Sequence, residues 1–235
     1  MAELRVGTSG YAYKQWKGSF YPEKLSDKDM LSFYGQHFGT VEINYTFYRT
    51  PTEDAVAKWG EQVPAGFQFA IKLNQKITHI QKLRGVESGL KRFLQAISVL
   101  QPAGKLGPVL VQVPPTFKAD AALLDEFLTL RPPAFRFAFE VRHASWHTDE
   151  TYALLRKHQT ALVMAETDKE PAREAVTADF VYLRLRKENY TDSELGAWRK
   201  RIKGWLAQGV NVFAYLKHED EGKAPAFAKR LLGAK

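Results

Sequence analysis

A single-domain (β/α)8 barrel of the TIM type, with parallel strands throughout, is the fold this sequence predicts. Eight short apolar runs bounded by turn residues recur along its 235 residues, and helix-like segments lie between them. No linker, low-complexity stretch or repeat beyond that rhythm divides residues 1–235. Such βα alternation calls for a parallel sheet with helical crossovers, and eight units fit this length. The rival open doubly wound sheet lacks its fingerprint, because no Gly-x-Gly-x-x-Gly follows a strand where a dinucleotide would sit.

The predicted strands run from Leu4 to Thr8, Val41 to Tyr45, Phe67 to Leu73, Val109 to Val113, Phe135 to Val141, Ala161 to Ala165, Phe180 to Leu185 and Val210 to Leu216. Helical spacing marks Leu90 to Leu100, Ala121 to Leu130, Thr151 to His158 and Asp192 to Gln208. Punctuation agrees with this division. Thr148 suits an N-cap ahead of Asp149 and Glu150, and Thr191-Asp192-Ser193-Glu194 opens the next-to-last helix in the same way. Pro114-Pro115 stops the fourth strand, and Pro132-Pro133 separates a helix from the fifth.

With 45% hydrophobic residues and 13% aromatics the chain can bury a sizeable core. The absence of cysteine excludes disulfides, thiolate nucleophiles and Cys-ligated metals. No signal-peptide pattern follows Met1 and no apolar run approaches a bilayer span, so a cytoplasmic protein that does not engage a membrane is expected. The net charge of +8 favours anionic partners, although the basic residues are spread without a polybasic tail and also suit a solvated surface.

Strand parity sharpens the picture, since alternate side chains point to opposite faces of a strand. On the fifth strand Phe135, Phe137, Phe139 and Val141 must lie under helices, which turns Arg136, Ala138, Glu140 and Arg142 inward. The same rule sends Glu42 and Asn44, then Gln68, Ala70, Lys72 and Asn74, then Gln112, into the interior. Tyr182, Arg184 and Arg186 follow from the seventh strand, and Phe213, Tyr215 and Lys217 from the eighth. Most of the polar positions fall late in their strands, at the end that carries the active site in barrels of this type. Buried charges there must pair with one another, closing the barrel as an ion-pair network, or with a ligand.

Several chemistries are open to these residues. Glu42 and Glu140 form a carboxylate pair of the kind glycoside hydrolysis uses, but Lys72 and Arg142 beside them favour low pKa values over a general acid. A metal site would have to combine His143, Glu140, Glu166, Asp168 and His218, against the positive charge of Lys72, Arg142, Arg184 and Lys217; no metal is assigned. No motif specifies a cofactor. Phosphate in such barrels often sits beside the loops after strands seven and eight, where Arg184, Arg186 and Lys217 stand. The segment 7-GTSGYAYKQWKGSFYP-22 offers Ser9 as a donor, and Tyr11 and Trp16 either as pocket lining or as local packing.

Together these motifs resemble the family known as domain of unknown function 72, or YecE-like proteins. The resembling residues are Gly7-Thr8-Ser9-Gly10-Tyr11, Trp16 to Pro22, Val41-Glu42-Ile43-Asn44 with Phe47-Tyr48, Phe69-Ala70-Ile71-Lys72, and Phe139-Glu140-Val141-Arg142-His143 with Ser145-Trp146. The resemblance implies a TIM-type barrel with a common site at those positions and implies no activity. Where many members are similar to Arg-Leu-His-Gly after strand seven, this chain has Arg184-Leu185-Arg186-Lys187; where many have Asn-Asn after strand eight, it has Lys217-His218. Both departures add charge or basicity.

The expectation is therefore an enzyme, a hydrolase or a lyase, acting on a phosphate-bearing or otherwise anionic small molecule or nucleotide at the C-terminal mouth of the barrel. Glu140 would transfer a proton, shared with His143, while Glu42 and Asn44 orient substrate. Lys72 and Arg142 would stabilise negative charge, Arg184 and Lys217 would hold the anion, and Ser9, Tyr11, Trp16, Trp146 and Tyr215 would line the site. The alternatives are a nucleic-acid-binding protein with a basic groove and an aromatic loop, a noncatalytic ligand-binding barrel, and a glycoside or metal-dependent hydrolase.

Overall fold

A computed structural model of the chain describes residues 1–217 and 222–233. Eight parallel strands, β1 (Leu4–Thr8), β2 (Thr40–Ile43), β3 (Gln68–Lys72), β4 (Leu106–Gln112), β5 (Phe137–Glu140), β6 (Ala161–Glu166), β7 (Phe180–Leu185) and β8 (Asn211–Leu216), form one sheet. Their order is β1-β8-β7-β6-β5-β4-β3-β2, so the sheet curls until its first and last strands meet. The described helices are α1 (Met30–Gly35), α2 (Glu53–Glu61), α3 (Glu87–Ser98), α4 (Ala121–Thr129), α5 (Asp149–Lys157), α6 (Asp192–Ala207) and α7 (Lys223–Leu232).

The seam between β1 and β2 closes on a few contacts. The Gly10 N–H donates to Glu42 O at 2.8 Å, beside a Ser9–Glu42 bridge. Lower down, the buried hydroxyl of Tyr34 from α1 stands in for missing ladder bonds: it accepts from the Thr8 N–H at 2.8 Å and donates to Thr40 O at 3.0 Å. Gly7 permits this approach, because a Cβ there would fall 2.1 Å from the Thr40 carbonyl oxygen.

Thr148 and Thr191 cap α5 and α6 as their sequence context predicts, Thr191 within a complete capping box with Glu194. One expectation is corrected: the second strand ends at Ile43, and Tyr45–Phe47 forms a 3-10 helix. The crossover from β6 to β7, where the sequence marks no helix, carries none among the described residues. Residues 167–179 include Pro171, which has no amide donor, and beyond it only Ala172, Ala175 and Val176 repeat at helical spacing, a stripe of one turn with little apolar area to bury. Buried Thr177 ties this segment down instead, accepting from the Leu162 N–H and donating to Thr160 O, both at 2.7 Å.

Parity holds around the barrel. Phe137 and Phe139 of β5 and Phe69 and Ile71 of β3 join the outer core beneath the helices. A separate inner cluster comprises Ala70, Leu110, Ala138, Ala161, Val163, Phe180, Tyr182, Phe213 and Tyr215. Small side chains from β3, β5 and β6 thus face large rings from β7 and β8, the complementarity that fills a barrel of this size. Arg136 closes the floor, its guanidinium 5.2 Å from the Phe213 ring and 5.8 Å from the Phe180 ring. Since the interior is filled, only the strand ends are left for chemistry. Among the described residues no helix is long and apolar enough to cross a membrane.

Candidate functional site

The inward positions one layer above the Tyr182–Tyr215 pair bring opposite charges together. Arg184 of β7 lies at the centre: Nη1 is 2.6 Å from Glu140 Oε2 of β5, and Nη2 is 2.8 Å from Glu42 Oε1 of β2. All three side chains are almost wholly buried. Ser9 donates to Glu42 Oε1, Asn44 donates to Ser9 Oγ at 2.9 Å, and the Tyr182 hydroxyl donates to Glu42 Oε2 at 2.8 Å. Glu42 is therefore saturated. Glu140 is less so: Arg142 Nε lies 2.6 Å from its Oε1, but out of line for a hydrogen bond. Arg184 Nε likewise has no hydrogen-bond partner among the described residues.

Burial opposes the ionisation of both carboxyls, but the arginines prevail. Burial raises the Glu140 pKa, and Arg184, then Arg142 and Arg186, more than reverse this and hold it down to about 2. Burial and Arg184 act on Glu42 in the same opposed way, with a net lowering. Arg184 gains from both acids and is held firmly charged despite burial.

Lys72 at the end of β3 has a different environment. Its ammonium donates to Gln112 Oε1 at 2.7 Å and lies 4.1 Å from the centre of the Phe47 ring. Burial first, and Arg184 second, lower its pKa to about 8, which Glu42 and Glu140 only partly oppose. Arg186, half-buried above Arg184, is also pushed down by burial and by that neighbour. His79, in the π-helical turn Lys76–Ile80 after β3, packs edge-on against Phe47 at 4.8 Å; burial, then Lys72, depresses its pKa. It stands neutral near pH 7.

Of the residues expected here, Ser9, Glu42, Asn44, Lys72, Glu140, Arg142 and Arg184 gather at the mouth. Others are elsewhere. Trp16 is fully buried in a local aromatic cluster with Tyr13, Phe20 and Tyr21, so it cannot line a pocket; Tyr11 is half-buried beside Tyr34 at the edge of that cluster. Trp146 is also fully buried, packed on Phe117 and Phe139, with its indole N–H donating to Phe117 O at 2.7 Å. It anchors packing and does not line the site. Tyr215 lies a layer below the mouth, hydrogen-bonded to Thr40 Oγ1 at 2.8 Å.

His143 stands beside the network on a side cavity of about 330 Å³, shared with Arg142, Thr167 and Arg173. Its Nδ1 accepts from the Ser145 N–H at 3.1 Å. Lys217 follows β8 directly and is half-buried, its N–H donating to Leu185 O at 3.0 Å, and His218 lies outside the described residues. Glu166 faces the helices, accepting from Trp198 Nε1 at 3.0 Å, and Asp168 accepts from the Glu188 N–H at 3.0 Å. Among the described residues no three His or carboxylate side chains converge as metal ligands.

The sequence gives little warning of Phe47 and His79, since both sit in short irregular turns beyond their strands. Phe47 is signalled by its place in the Val41-to-Tyr48 motif of the family resemblance, and His79 only by its proximity in sequence to Asn74, just beyond the third strand.

Comparison with known proteins is consistent with this barrel. The chain is 32% identical over 149 residues to UPF0759 protein YecE of Escherichia coli, a match covering 62% of this chain and 54% of that protein. The chain thus aligns with about half the length of that relative. In structure it is similar to a DUF72 family protein of Thermotoga maritima, with a TM-score of 0.88 and 26% identity over 98% of each chain. A DUF72 family protein of Enterococcus faecalis shares the fold, with a TM-score of 0.79 and 20% identity over 100% of this chain and 99% of that one. The model of DUF72, a protein of unknown function, matches residues 5–234, from the first strand through the last helix, and this chain belongs to that family.

Proposed function

We propose that the protein is an enzyme acting on an anionic small molecule, phosphate- or carboxylate-bearing, at the C-terminal mouth of the barrel. One observation carries this reading. Arg184 and Arg142 take up the carboxylates Glu140 and Glu42, and Lys72 and Arg186 are left at the same opening with no carboxylate ion partner among the described residues. Cations held partly out of water without counter-charge favour an anionic ligand. Arg186 and Arg142 are suited to hold it, since a guanidinium offers forked donors to phosphate or carboxylate oxygens.

The acid–base role belongs to Lys72 rather than Glu140. A carboxyl held at about 2 is almost never protonated near neutrality, whereas an amine with a pKa of about 8 exchanges its proton at working pH. The same depression argues against glycoside hydrolysis by Glu42 and Glu140, which needs one carboxylic acid of raised pKa. The inward packing of Trp16, Phe20 and Tyr21 weighs against nucleic-acid stacking on that loop.

The reading is tested by a thermal-stability screen of phosphate- and carboxylate-bearing metabolites beside neutral analogues, followed by turnover assays on the hits. Stabilisation confined to anions and reduced in Arg186→Met supports it. Stabilisation by neutral compounds alone, or a response unchanged in that variant, removes it.

A further inference from the structure

The environment of Lys72 narrows the substrate class further. Among the described residues, the four carboxylate oxygens of Glu42 and Glu140 at the mouth each have a cation or a donor: Glu42 Oε1 faces Arg184, Ser9 and Asn44, Glu42 Oε2 faces Tyr182, Glu140 Oε2 faces Arg184, and Glu140 Oε1 lies against Arg142. Among the described residues, Lys72 Nζ therefore has only a neutral amide oxygen and an aromatic face beside it. The charged groups that bear on it are Arg184 from β7, Arg142 and Glu140 from the end of β5, and Glu42 from β2, with neutral His79 close by on the turn after β3. A lysine placed only to bind an anion would sit charged and solvated at the rim. This one is half-buried on the inner face of the barrel, where an uncharged amine is a strong nucleophile.

We propose that Lys72 is a covalent catalytic residue, forming an imine with the aldehyde or ketone carbon of a substrate whose phosphate or carboxylate group is held by Arg142 and Arg186. The proposal rests on the anion-site reading above and names its substrate class as an anionic carbonyl compound. The Nζ lone pair forms a bond to the carbonyl carbon as the C=O π pair moves to oxygen, which takes up a proton. The nitrogen then gives up a proton to reach the neutral carbinolamine. Protonation of the hydroxyl lets the C–O bond break, and water leaves as the nitrogen lone pair forms the C=N bond. The balance is amine plus carbonyl plus one proton giving a protonated imine and water, with no oxidant or reductant required. A protonated imine is an electron sink for cleavage or proton loss at the adjacent carbon, which directs the reaction toward the lyase class.

Reductive trapping tests this. The full chain is incubated with glycolaldehyde phosphate, with glyoxylate, or with propionaldehyde as the uncharged control, then treated with sodium borohydride and mapped by peptide mass spectrometry. The expected product is one secondary amine at Lys72, heavier by the mass of the probe less one oxygen. It should form at least tenfold faster with an anionic probe than with the control, and faster as pH rises through about 8. The glycolaldehyde phosphate and glyoxylate arms show which anion the site prefers. Lys72→Arg keeps the positive charge but not the nucleophile, and should abolish the adduct while inorganic phosphate still stabilises the protein. Labelling spread over surface lysines with Lys72 unmodified overturns the proposal. If phosphate stabilises the wild-type protein and no adduct forms, the covalent step fails and the anion site stands; if neither occurs, both fail.

Discussion

Arg184 meets Glu140 across the barrel at 2.6 Å while its other terminal nitrogen holds Glu42 at 2.8 Å, so one cation from β7 joins acids from β5 and β2. Removing that cation leaves two buried carboxylates without their main partner, a change that costs about 3–5 kcal/mol. Arg184→Met is expected to lose stability on that scale in urea denaturation. Adding Glu42→Gln and Glu140→Gln to it should recover more than half of the loss, because the uncompensated charge is then gone.

Acid should weaken this network in a defined window. The folded pKa of Glu140 is about 2, below its ordinary value of 4.5, so its contribution is fully present above pH 4.5 and is lost as pH falls through about 2. Unfolding free energies from denaturant titrations between pH 5 and pH 2 should fall by an amount on the order of 3 kcal/mol from this group. Glu140→Gln should show a shallower slope over the same range.

Lys72 has the opposite consequence for stability near neutrality. Its folded pKa of about 8 lies below the ordinary 10.5, so its favourable contribution is present above pH 10.5 and is lost as pH falls through 8. At pH 7 the fold carries the full penalty of a partly buried charge. Lys72→Met should therefore be more stable than wild type at pH 7, by about 1–2 kcal/mol after loss of the Gln112 hydrogen bond, with the advantage vanishing toward pH 10.5. Equal stability of the two proteins at pH 7 and pH 10.5 would show that the amine is not depressed.

The β1–β2 seam is expected to be intolerant. Gly7→Ala places a Cβ against the Thr40 carbonyl and should cost several kcal/mol or abolish folding, on the order of 3 kcal/mol or more. Tyr34→Phe keeps the ring and removes only the hydroxyl that serves Thr8 N–H and Thr40 O, at a cost of about 1–3 kcal/mol. Amide hydrogen exchange at Thr8 should quicken in Tyr34→Phe.

Much of this was legible in sequence because period-two alternation is strict wherever one face of a strand must be buried. The phenylalanines at 135, 137 and 139 oblige Glu140 and Arg142 to point into the mouth, and the same logic places Lys72 and Arg184. What parity could not supply was depth and partner. It turned Tyr215 inward but not to the layer below the mouth, and it assigned Glu140 a proton-transfer role that two close arginines argue against. Trp16 and Trp146 lie in loops, where no period reports direction, and both turned to packing. The absent helix between β6 and β7 reflects a segment with Pro171 and too few spaced apolar residues.

An anion site at the charged mouth can be measured by titrating inorganic phosphate against wild type and the Arg142→Met/Arg186→Met double variant, with thermal stability as the readout and chloride as the control for ionic strength. A saturable rise in Tm is expected for wild type, one that chloride does not reproduce and whose apparent affinity falls at least tenfold in the double variant. The same rise in both proteins, or a rise that follows ionic strength alone, would contradict it.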